Sequence, residues 1–446
     1  MRRNAHLRYF GGSLSLCHAA AHCQTISIKA ENNHCGNQRR AHTAHAGRNI
    51  RLHHSGQNRH TPAEDCGRGE EEKLEVKIRD EKQRNKNQKE EHGFMKDVYQ
   101  RLAEFLDTMP QRFPVNTESG VELRVLKNIF SPDEAEMFLN LKPKPETAAQ
   151  IAARIGEDPG KLGKKLYEMS KKGLAFRSGR EGNYKYMASA FLVGIIEFQM
   201  NRMTPELLKE WDEFEPLLYK STWLKGTTRD LRTIPIGEAV DPNSQVMPYE
   251  NIEETIRNAK YVAISDCMCR RITAIKNNPC AHPMEVCFHF GGSCHYFVEN
   301  GLARYISNEE ALEIFKKGKA SGLVCQVSAS QETNALCMCC DCCCGPLRAV
   351  KACAKPAEMV NSNFFAKVSD DECTGCELCA ERCPMDAITV DDVARVDLDR
   401  CIGCGVCAVT CPVEAIKVYR KEKDKEFVPE KNIFESTMAI YKQRRE

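Results

Sequence analysis

The amino-acid sequence predicts an α+β protein in three folded parts: a helical N-terminal module, a cysteine-rich α/β middle region and a small C-terminal domain. Three observations lead to this fold class. Helix start signals recur from residue 95 onward, strand-like apolar runs lie among the middle cysteines, and one cysteine motif occurs twice near the C-terminus. The expected boundaries are 1–94 for an extension, 95–200 for the helical module, 201–258 for a helical connector, 259–358 for the cysteine-rich region, 362–418 for the C-terminal domain and 419–446 for a charged tail.

Cysteine usage narrows the class of protein most sharply. The chain has 446 residues, of which 42% are hydrophobic, 28% are charged and 25 are cysteines. Twenty-one of the cysteines lie between Cys267 and Cys411, many of them one to three residues apart. Secreted disulfide scaffolds are usually short and space their cysteines across loops, so this pattern predicts reduced, metal-binding cysteines in a cytoplasmic protein. No apolar run approaches the roughly 20 residues of a spanning helix, so we expect no membrane span.

Residues 1–94 show neither a helical nor a strand period. Ten of the 13 histidines lie there, mixed with arginine, asparagine and glycine. The stretch predicts a disordered extension, or a translation start assigned too far upstream. A targeting segment and a histidine-based metal site are the alternatives.

Three helix starts followed by a hairpin define the module at 95–200. Ser131 precedes a proline at the first helical position, Thr147 opens a capping box, and Asp158 precedes another proline. A short hairpin pattern follows at 174–187. Helix, turn, helix and hairpin in this order resemble a winged helix-turn-helix.

The helix that starts after Asp158, which is the second of the helix-turn-helix pair, and the hairpin are expected to present a basic surface. DNA is one candidate partner, because phosphate contacts need such a surface. Lysine is also common on any solvated helix face, and the residues from 95 onward are mildly acidic overall, which favours a packing role. The basic residues are Lys161, Lys164, Lys165, Lys171, Lys172, Arg177 and Arg180.

The strongest signal is the repeated motif C-x2-C-x2-C-x3-C-P, which begins at Cys373 and again 28 residues later at Cys401. Three thiolates on a tight loop hold three corners of an iron–sulfur cubane, and in two-cluster proteins the cysteine before each proline crosses to the other cluster. The motif therefore predicts two [4Fe–4S] clusters in a ferredoxin-like domain. One is held by Cys373, Cys376, Cys379 and Cys411, and the other by Cys401, Cys404, Cys407 and Cys383.

A glycine precedes the second cysteine of each copy, at Gly375 and Gly403. We expect these glycines to let the backbone approach the cluster closely. Thiolate spacing alone also suits zinc, but zinc sites lack both the x3-C-P ending and this duplication.

A first group of middle cysteines follows a predicted buried strand at 261–264. Two of them leave the strand and two more lie within the next twenty residues, so they predict a four-thiolate metal site. Arg270 and Arg271 would offset its negative charge. The alternative is that these cysteines are small core residues. The four are Cys267, Cys269, Cys280 and Cys287.

A second group packs six thiols into the eight residues 337–344, with Cys325 before it and Cys353 after it. Unligated thiols at this density would oxidise or scramble. One or two further iron–sulfur clusters are therefore expected in the middle region, with zinc or a thiol–disulfide redox centre as alternatives. The candidate ligands in this group are Cys337, Cys339, Cys340 and Cys343.

From about residue 95 to 420, the order of these features resembles a family of ferredoxin-domain iron–sulfur proteins of anaerobic bacteria and archaea. The resemblance implies a cytoplasmic electron carrier or redox-enzyme component with a redox partner protein. It supplies neither a substrate nor an oligomeric state. The matching residues are Cys267, Cys269, Arg270, Cys280, Pro283, Cys287, the run from Cys337 to Gly345 and the eight cysteines of the repeat.

Three functions remain open on the sequence. Electron transfer through the ferredoxin-like domain is the leading hypothesis. An oxidoreductase with an active-site cluster among the middle cysteines is the first alternative, and a redox-responsive DNA-binding regulator is the second. No catalytic residue is assigned, because the sequence shows neither a paired-carboxylate nor a nucleophile–base motif and no nucleotide-binding glycine loop.

Overall fold

The computed structural model describes residues 96–222, 224 and 229–443. The expected N-terminal extension therefore lies outside the described residues. The helices are α1 (Val98–Thr108), α2 (Val121–Ile129), α3 (Pro132–Leu139), α4 (Ala148–Ile155), α5 (Pro159–Lys171), α6 (Ile196–Phe198), α7 (Pro205–Thr222), α8 (Ile252–Asn258), α9 (Met268–Ile275), α10 (Ser293–Glu299), α11 (Asn308–Ala320), α12 (Gly345–Lys351), α13 (Leu378–Glu381), α14 (Val406–Val409) and α15 (Ile433–Gln443). The strands are β1 (Glu146–Thr147), β2 (Phe176–Ser178), β3 (Lys185–Met187), β4 (Leu231–Ile234), β5 (Val262–Asp266), β6 (Glu285–Phe290), β7 (Arg304–Ile306), β8 (Val324–Ser328), β9 (Ala335–Cys339), β10 (Phe364–Val368), β11 (Ile388–Val390), β12 (Ala394–Val396) and β13 (Ile416–Arg420).

Local signals explain where the N-terminal helices begin. Ser131 caps α3 and Thr147 caps α4, each by accepting a hydrogen bond from an N–H in the first turn. Asp158 caps α5 through its carboxylate, which accepts from the Lys161 N–H at 2.8 Å. The strands β1, β3 and β2 then form a small antiparallel sheet in that order. The helices and the hairpin thus follow one another along the chain as the sequence predicts.

Arg177 on β2 is buried, and the prediction that it belongs to an exposed basic surface is wrong. Its side chain is 2% exposed, and its guanidinium donates to the Glu299 carboxylate at 2.8 Å. The same group lies over the rings of Tyr167, Tyr184 and Tyr296. The arginine therefore anchors the hairpin to α10. Sequence alone cannot show this, because Glu299 lies 122 residues further along the chain.

An antiparallel sheet of six strands, in the order β4-β8-β9-β6-β5-β7, frames the middle region. β5 ends one residue before Cys267, and β9 ends at Cys339. β6 runs antiparallel to both strands, with Cys287 opposite Cys337 near its beginning. One end of the sheet therefore contains the C-terminal ends of β5 and β9 and the beginning of β6. Cysteines that are far apart in sequence lie close together there.

The stretch 201–258 was expected to be a helical connector, but it also supplies β4, which pairs with β8. Its strand pattern is hard to recognise because Arg232 occupies a buried position, 4% exposed. The Arg232 guanidinium donates to the carbonyl oxygens of Ser328, Tyr249 and Ser330, which satisfies three buried acceptors. The charged Arg232 interrupts the apolar pattern that would have predicted a buried strand from the sequence.

The C-terminal domain repeats itself with the 28-residue offset of the cysteine motif. β10 pairs with β13, and the equivalent strands β12 and β11 pair with each other. The short helices α13 and α14 begin 28 residues apart and pack against one another. The two halves of the domain therefore have equivalent strands and helices, offset by 28 residues along the chain.

The charged C-terminal stretch packs onto the rest of the protein. Arg420 forms ion pairs with Glu250 and Glu426 at 2.6 Å, and the Glu250 side chain is 2% exposed. Backbone N–H groups of Gln331 and Glu332 donate to the carbonyl oxygens at positions 430 and 431. Across the described ranges, no helix has both the length and the apolar character needed to cross a bilayer.

A partly buried carboxyl in α6 gives the fold a pH dependence that can be measured. Burial raises the pKa of Glu197 to about 7, although the Gly194 N–H donates to its carboxylate at 2.8 Å. A folded-state pKa above the unfolded value means that the ionised form destabilises the fold. That cost is absent below the unfolded pKa of about 4.5, grows with pH, and is complete above about 7.

Glu197→Gln is therefore expected to raise the free energy of unfolding by about 2–3 kcal/mol at pH 8.5 and by little at pH 5. The amide oxygen of glutamine can still accept from the Gly194 N–H, so that contact survives. Unfolding midpoints at the two pH values test the prediction, with the exposed Glu168→Gln as control. Equal effects of Glu197→Gln at both values would contradict it.

Candidate metal centres

Four cysteines line a small cavity at the surface of the C-terminal domain. Three of them come from the first copy of the motif and the fourth comes from the end of the second copy. Cys376 is exposed and Cys379 is buried, while the other two are half-buried. The cavity also contains the apolar side chains of Val390 and Ile416. The four cysteines are Cys373, Cys376, Cys379 and Cys411.

The second cavity of this domain lies deeper and is also lined by four cysteines. Three come from the second copy and one from the end of the first, so the cysteine that precedes each proline lies with the opposite copy. Three of the four are buried, and Met385, Ile388 and Ile402 complete an apolar lining. The four cysteines are Cys383, Cys401, Cys404 and Cys407.

Backbone N–H groups point at sulfurs in both cavities. The Ala366 N–H on β10 donates to Cys401 Sγ at 3.4 Å, and the Ala394 N–H on β12 donates to Cys373 Sγ at 3.4 Å. The two donors, Ala366 and Ala394, are 28 residues apart, and so are the two acceptors, Cys373 and Cys401. Each strand therefore supports the cysteine motif of the other half. Such N–H donors stabilise thiolates and tune the potential of a bound cluster.

Gly375 and Gly403 make close contacts, but with protein backbone. A Cβ at Gly403 would lie 2.1 Å from the Phe364 carbonyl oxygen, and one at Gly375 would lie 2.7 Å from the Asp392 carbonyl oxygen. Both glycines have positive φ, 64° and 65°. Each glycine therefore permits close approach to the backbone of the opposite half, and the expected close approach to a cluster stays a prediction.

Burial disfavours ionisation of four of the eight thiols that line these cavities. Burial raises the pKa of Cys404 and of Cys407 above the ordinary thiol value, and it does the same for Cys379 and Cys383. A buried thiol ionises more readily where positive charge or hydrogen-bond donors stabilise the thiolate. Four thiols around an apolar cavity with N–H donors therefore fit a bound iron–sulfur group, which would supply that charge.

The middle cysteines do not form the site expected from sequence. Cys267, Cys269, Cys280 and Cys287 were grouped together, but the sulfur of Cys280 contacts Cys340 and Cys342, while Cys287 lies 4.0 Å from Cys337. The physical reason is the sheet register, which sets Cys287 opposite Cys337, and a loop that carries Cys280 towards the turn after β9. The middle cysteines therefore divide into two sets.

The first set is a chain of six neighbouring thiols, here called the thiol chain. Each member interacts electrostatically with the next, and Cys287 and Cys337 lie 4.0 Å apart. The neighbouring thiols of Cys269 and Cys339 lower the pKa of Cys344 to about 6. The hydrogen bond from Cys287 likewise lowers the pKa of Cys337. Cys344 was missing from the predicted ligands. In order of contact the members are Cys267, Cys269, Cys344, Cys339, Cys337 and Cys287.

The second set, here called the thiol quartet, consists of four sulfurs that all lie within 4.8 Å of one another. Cys342 is exposed, Cys280 is half-buried and the other two members are buried. The sequence predicts three of these four cysteines as ligands but not Cys342. Cys342 lies in the same dense cysteine run as Cys340 and Cys343, so its position was an equally good signal. The members are Cys280, Cys340, Cys342 and Cys343.

Arg270 lies between the two sets and is 1% exposed. Its guanidinium donates to the carbonyl oxygens of Pro283 and Met338, while its Nε is buried without a hydrogen-bond partner among the described residues. Burial alone would lower the pKa of Arg270, but negative charge at Cys267 and Cys340 raises it above the ordinary value. Arg270 is therefore placed to compensate thiolates of both sets, whereas Arg271, for which the same role is predicted from the sequence, pairs with Asp266 at 2.9 Å.

A cavity of about 200 Å³ touches both sets of middle thiols. Cys269 of the thiol chain and Cys343 of the thiol quartet line it, and Trp211 and Tyr219 of α7 form its opposite wall. Its charged groups are paired, Lys276 with Asp212 and Arg348 with Glu215. The cavity is large enough for a small molecule next to the thiols.

Comparison with protein-family models finds one relevant match: a 4Fe-4S dicluster domain matches residues 372–415. Comparisons with curated proteins and with solved structures give no match. The clustered thiols support metal binding. The family match supports an iron–sulfur protein, with a C-terminal domain of the ferredoxin type.

Proposed function

We propose that this protein transfers electrons and holds two [4Fe–4S] clusters in its C-terminal domain, one in each four-cysteine cavity. When bound, such a cluster supplies reversible one-electron redox chemistry at low potential. The observation that carries the proposal is the exchange of the final cysteine of each motif, Cys383 and Cys411, between the cavities. Two-cluster ferredoxins use this ligand pattern.

The two cavities differ in exposure, which supports an order of sites along an electron path. Cys376 is exposed at the outer cavity, whereas Cys401, Cys404 and Cys407 are buried at the inner one. Lys351 bridges from Asp386, three residues after Cys383, to Asp341 in the dense cysteine run. The outer cavity would therefore exchange electrons with a partner, and the inner one would connect it to the middle thiols.

The surface around the outer cavity indicates the chemistry of a redox partner. The exposed Leu378 lies among five exposed carboxylates of the same motif and its approach. An apolar spot with an acidic rim fits a partner protein with a basic docking surface, and charge attraction would accelerate encounter at low salt. The carboxylates are Asp371, Glu372, Glu377 and Glu381, together with Asp370, which forms an ion pair with Arg395 at 2.8 Å.

A second candidate function is an oxidoreductase in which the thiol chain holds a further cluster beside a substrate. The cavity of about 200 Å³ next to Cys269 favours it. The DNA-binding alternative is weakened, because Arg177 is buried and Lys172 is paired with Glu134 at 2.6 Å. That the N-terminal module is a winged helix-turn-helix also stays a proposal.

Iron and acid-labile sulfide, measured on protein produced and purified without oxygen, test the proposal. Two clusters predict about eight irons and eight sulfides per chain, and uptake of about two electrons from a low-potential donor. About twelve irons would favour the oxidoreductase, with a cluster on the thiol chain. Iron without sulfide, or eight irons that accept no electron, would contradict the electron-transfer proposal.

A further inference from the structure

The thiol quartet is more compact than the ferredoxin cysteines. Its sulfur separations are 3.5 Å between Cys280 and Cys342, 3.7 Å between Cys342 and Cys343, and 3.9 Å between Cys280 and Cys340. Four thiolates bound to one zinc ion at about 2.3 Å stand about 3.8 Å apart, from tetrahedral geometry alone. The observed separations agree with a single central ion.

The ferredoxin cysteines provide an internal comparison. Thiolates that bind different irons of a cubane must stand further apart than thiolates on one ion, because the cube lies between them. Among the described residues, only the thiol quartet has its ligand atoms within 4.8 Å of each other, and the two four-cysteine cavities do not reach this density. The two kinds of site are therefore distinguished within one molecule.

The surroundings of the thiol quartet suit a tetrathiolate, which carries a net negative charge around a divalent ion. The His282 N–H donates to Cys280 Sγ at 3.4 Å, and the Thr273 hydroxyl lies 3.4 Å from Cys343 Sγ. The guanidinium of Arg270 lies buried nearby with its Nε unpartnered among the described residues. These donors are of the kind that orient thiolate ligands and offset their charge.

We propose that the thiol quartet binds a single zinc ion in tetrahedral coordination, as a structural site separate from the iron–sulfur centres. Four thiolates leave no open position for substrate or water, which is typical of structural zinc. Zinc also binds such a site more tightly than iron(II) does. The ion would fasten the loop between α9 and β6, which carries Cys280, to the turn after β9. This inference does not depend on the proposed electron transfer.

The test is zinc per chain after challenge with a chelator, on protein produced without oxygen in iron-replete, zinc-containing medium. Wild type should retain about one zinc, and Cys342→Ala should lower the retained zinc at least about tenfold. Cys342 is exposed, so its loss removes a ligand with little effect on packing. Cys353→Ala, a half-buried cysteine outside the quartet, is the matched control and should retain the zinc.

X-ray absorption at the zinc edge of wild type gives a readout that needs no variant, and should show four sulfur ligands at about 2.3 Å. The iron and sulfide of the C-terminal domain, measured in the same samples, should be unchanged in Cys342→Ala. Nitrogen or oxygen ligands to zinc, equal zinc in Cys342→Ala and wild type, or iron at this site in place of zinc would each overturn the assignment.

Discussion

Cys411→Ala is expected to remove about four irons per chain, and these should be the irons held with Cys373, Cys376 and Cys379. Cys411 follows the second copy of the motif in sequence but lines the cavity of the first copy. A cubane that lacks one of its four thiolate ligands loses an iron–sulfur bond and the negative charge of that thiolate, so it should not assemble. The effect is large because half of the proposed redox capacity is lost.

Double variants determine which cluster is lost. If the ligands cross, Cys411→Ala combined with Cys376→Ala should lose no more iron than either single variant. Cys411→Ala combined with Cys404→Ala should lose about eight irons, because the two changes then affect different clusters. If each motif binds its own cluster without crossing, the first double variant should lose about eight irons and the second about four. The iron contents of the two double variants therefore distinguish crossed from uncrossed ligation.

Two further measurements keep this comparison independent of folding defects. Cys294→Ala, a buried cysteine outside both cavities, should retain the iron of wild type. Electron paramagnetic resonance of the reduced Cys411→Ala protein should show one isolated cluster, whereas wild type should show two interacting clusters. A Cys411→Ala protein that retains about eight irons would contradict the crossed ligand set.

The sequence anticipates the C-terminal domain well because its chemistry is local. Three ligands lie within seven residues of each other, and a 28-residue repeat relates the two sets, so spacing predicts the motif without knowledge of the fold. The family match over 372–415 agrees with a dicluster domain. Crossing of the final cysteines between clusters stays a prediction until the iron counts are measured.

The middle cysteines could not be partitioned from sequence because their grouping depends on strand register. Cys280 and Cys287 are seven residues apart, yet one joins the turn after β9 and the other faces Cys337 across two paired strands. A different register would bring different thiols together. The burial of Arg177 and Arg232 could not be predicted from nearby sequence either. Their guanidinium groups donate hydrogen bonds to Glu299 and Ser328, respectively, each more than 90 residues away.

Gly403→Ala is expected to lower the free energy of unfolding by about 2–5 kcal/mol, from left-handed backbone strain and overpacking together. The new Cβ would lie 2.1 Å from the Phe364 carbonyl oxygen, so β10 would have to move. β10 also carries the Ala366 N–H that donates to Cys401 Sγ. The strain should therefore reach the inner cavity and release its iron as well.

A graded series of glycines separates this effect from a general loss of stability. Gly375→Ala, with its nearest carbonyl oxygen at 2.7 Å, should follow the same direction at the outer cavity with a smaller cost. Gly237→Ala, with no atom within 4 Å and no positive φ, should stay within about 0.5 kcal/mol of wild type. Unfolding midpoints and iron per chain should rank the three variants in that order. Because Cys404→Ala already removes the inner cluster, adding Gly403→Ala should release no further iron, and release of four more would contradict a local effect.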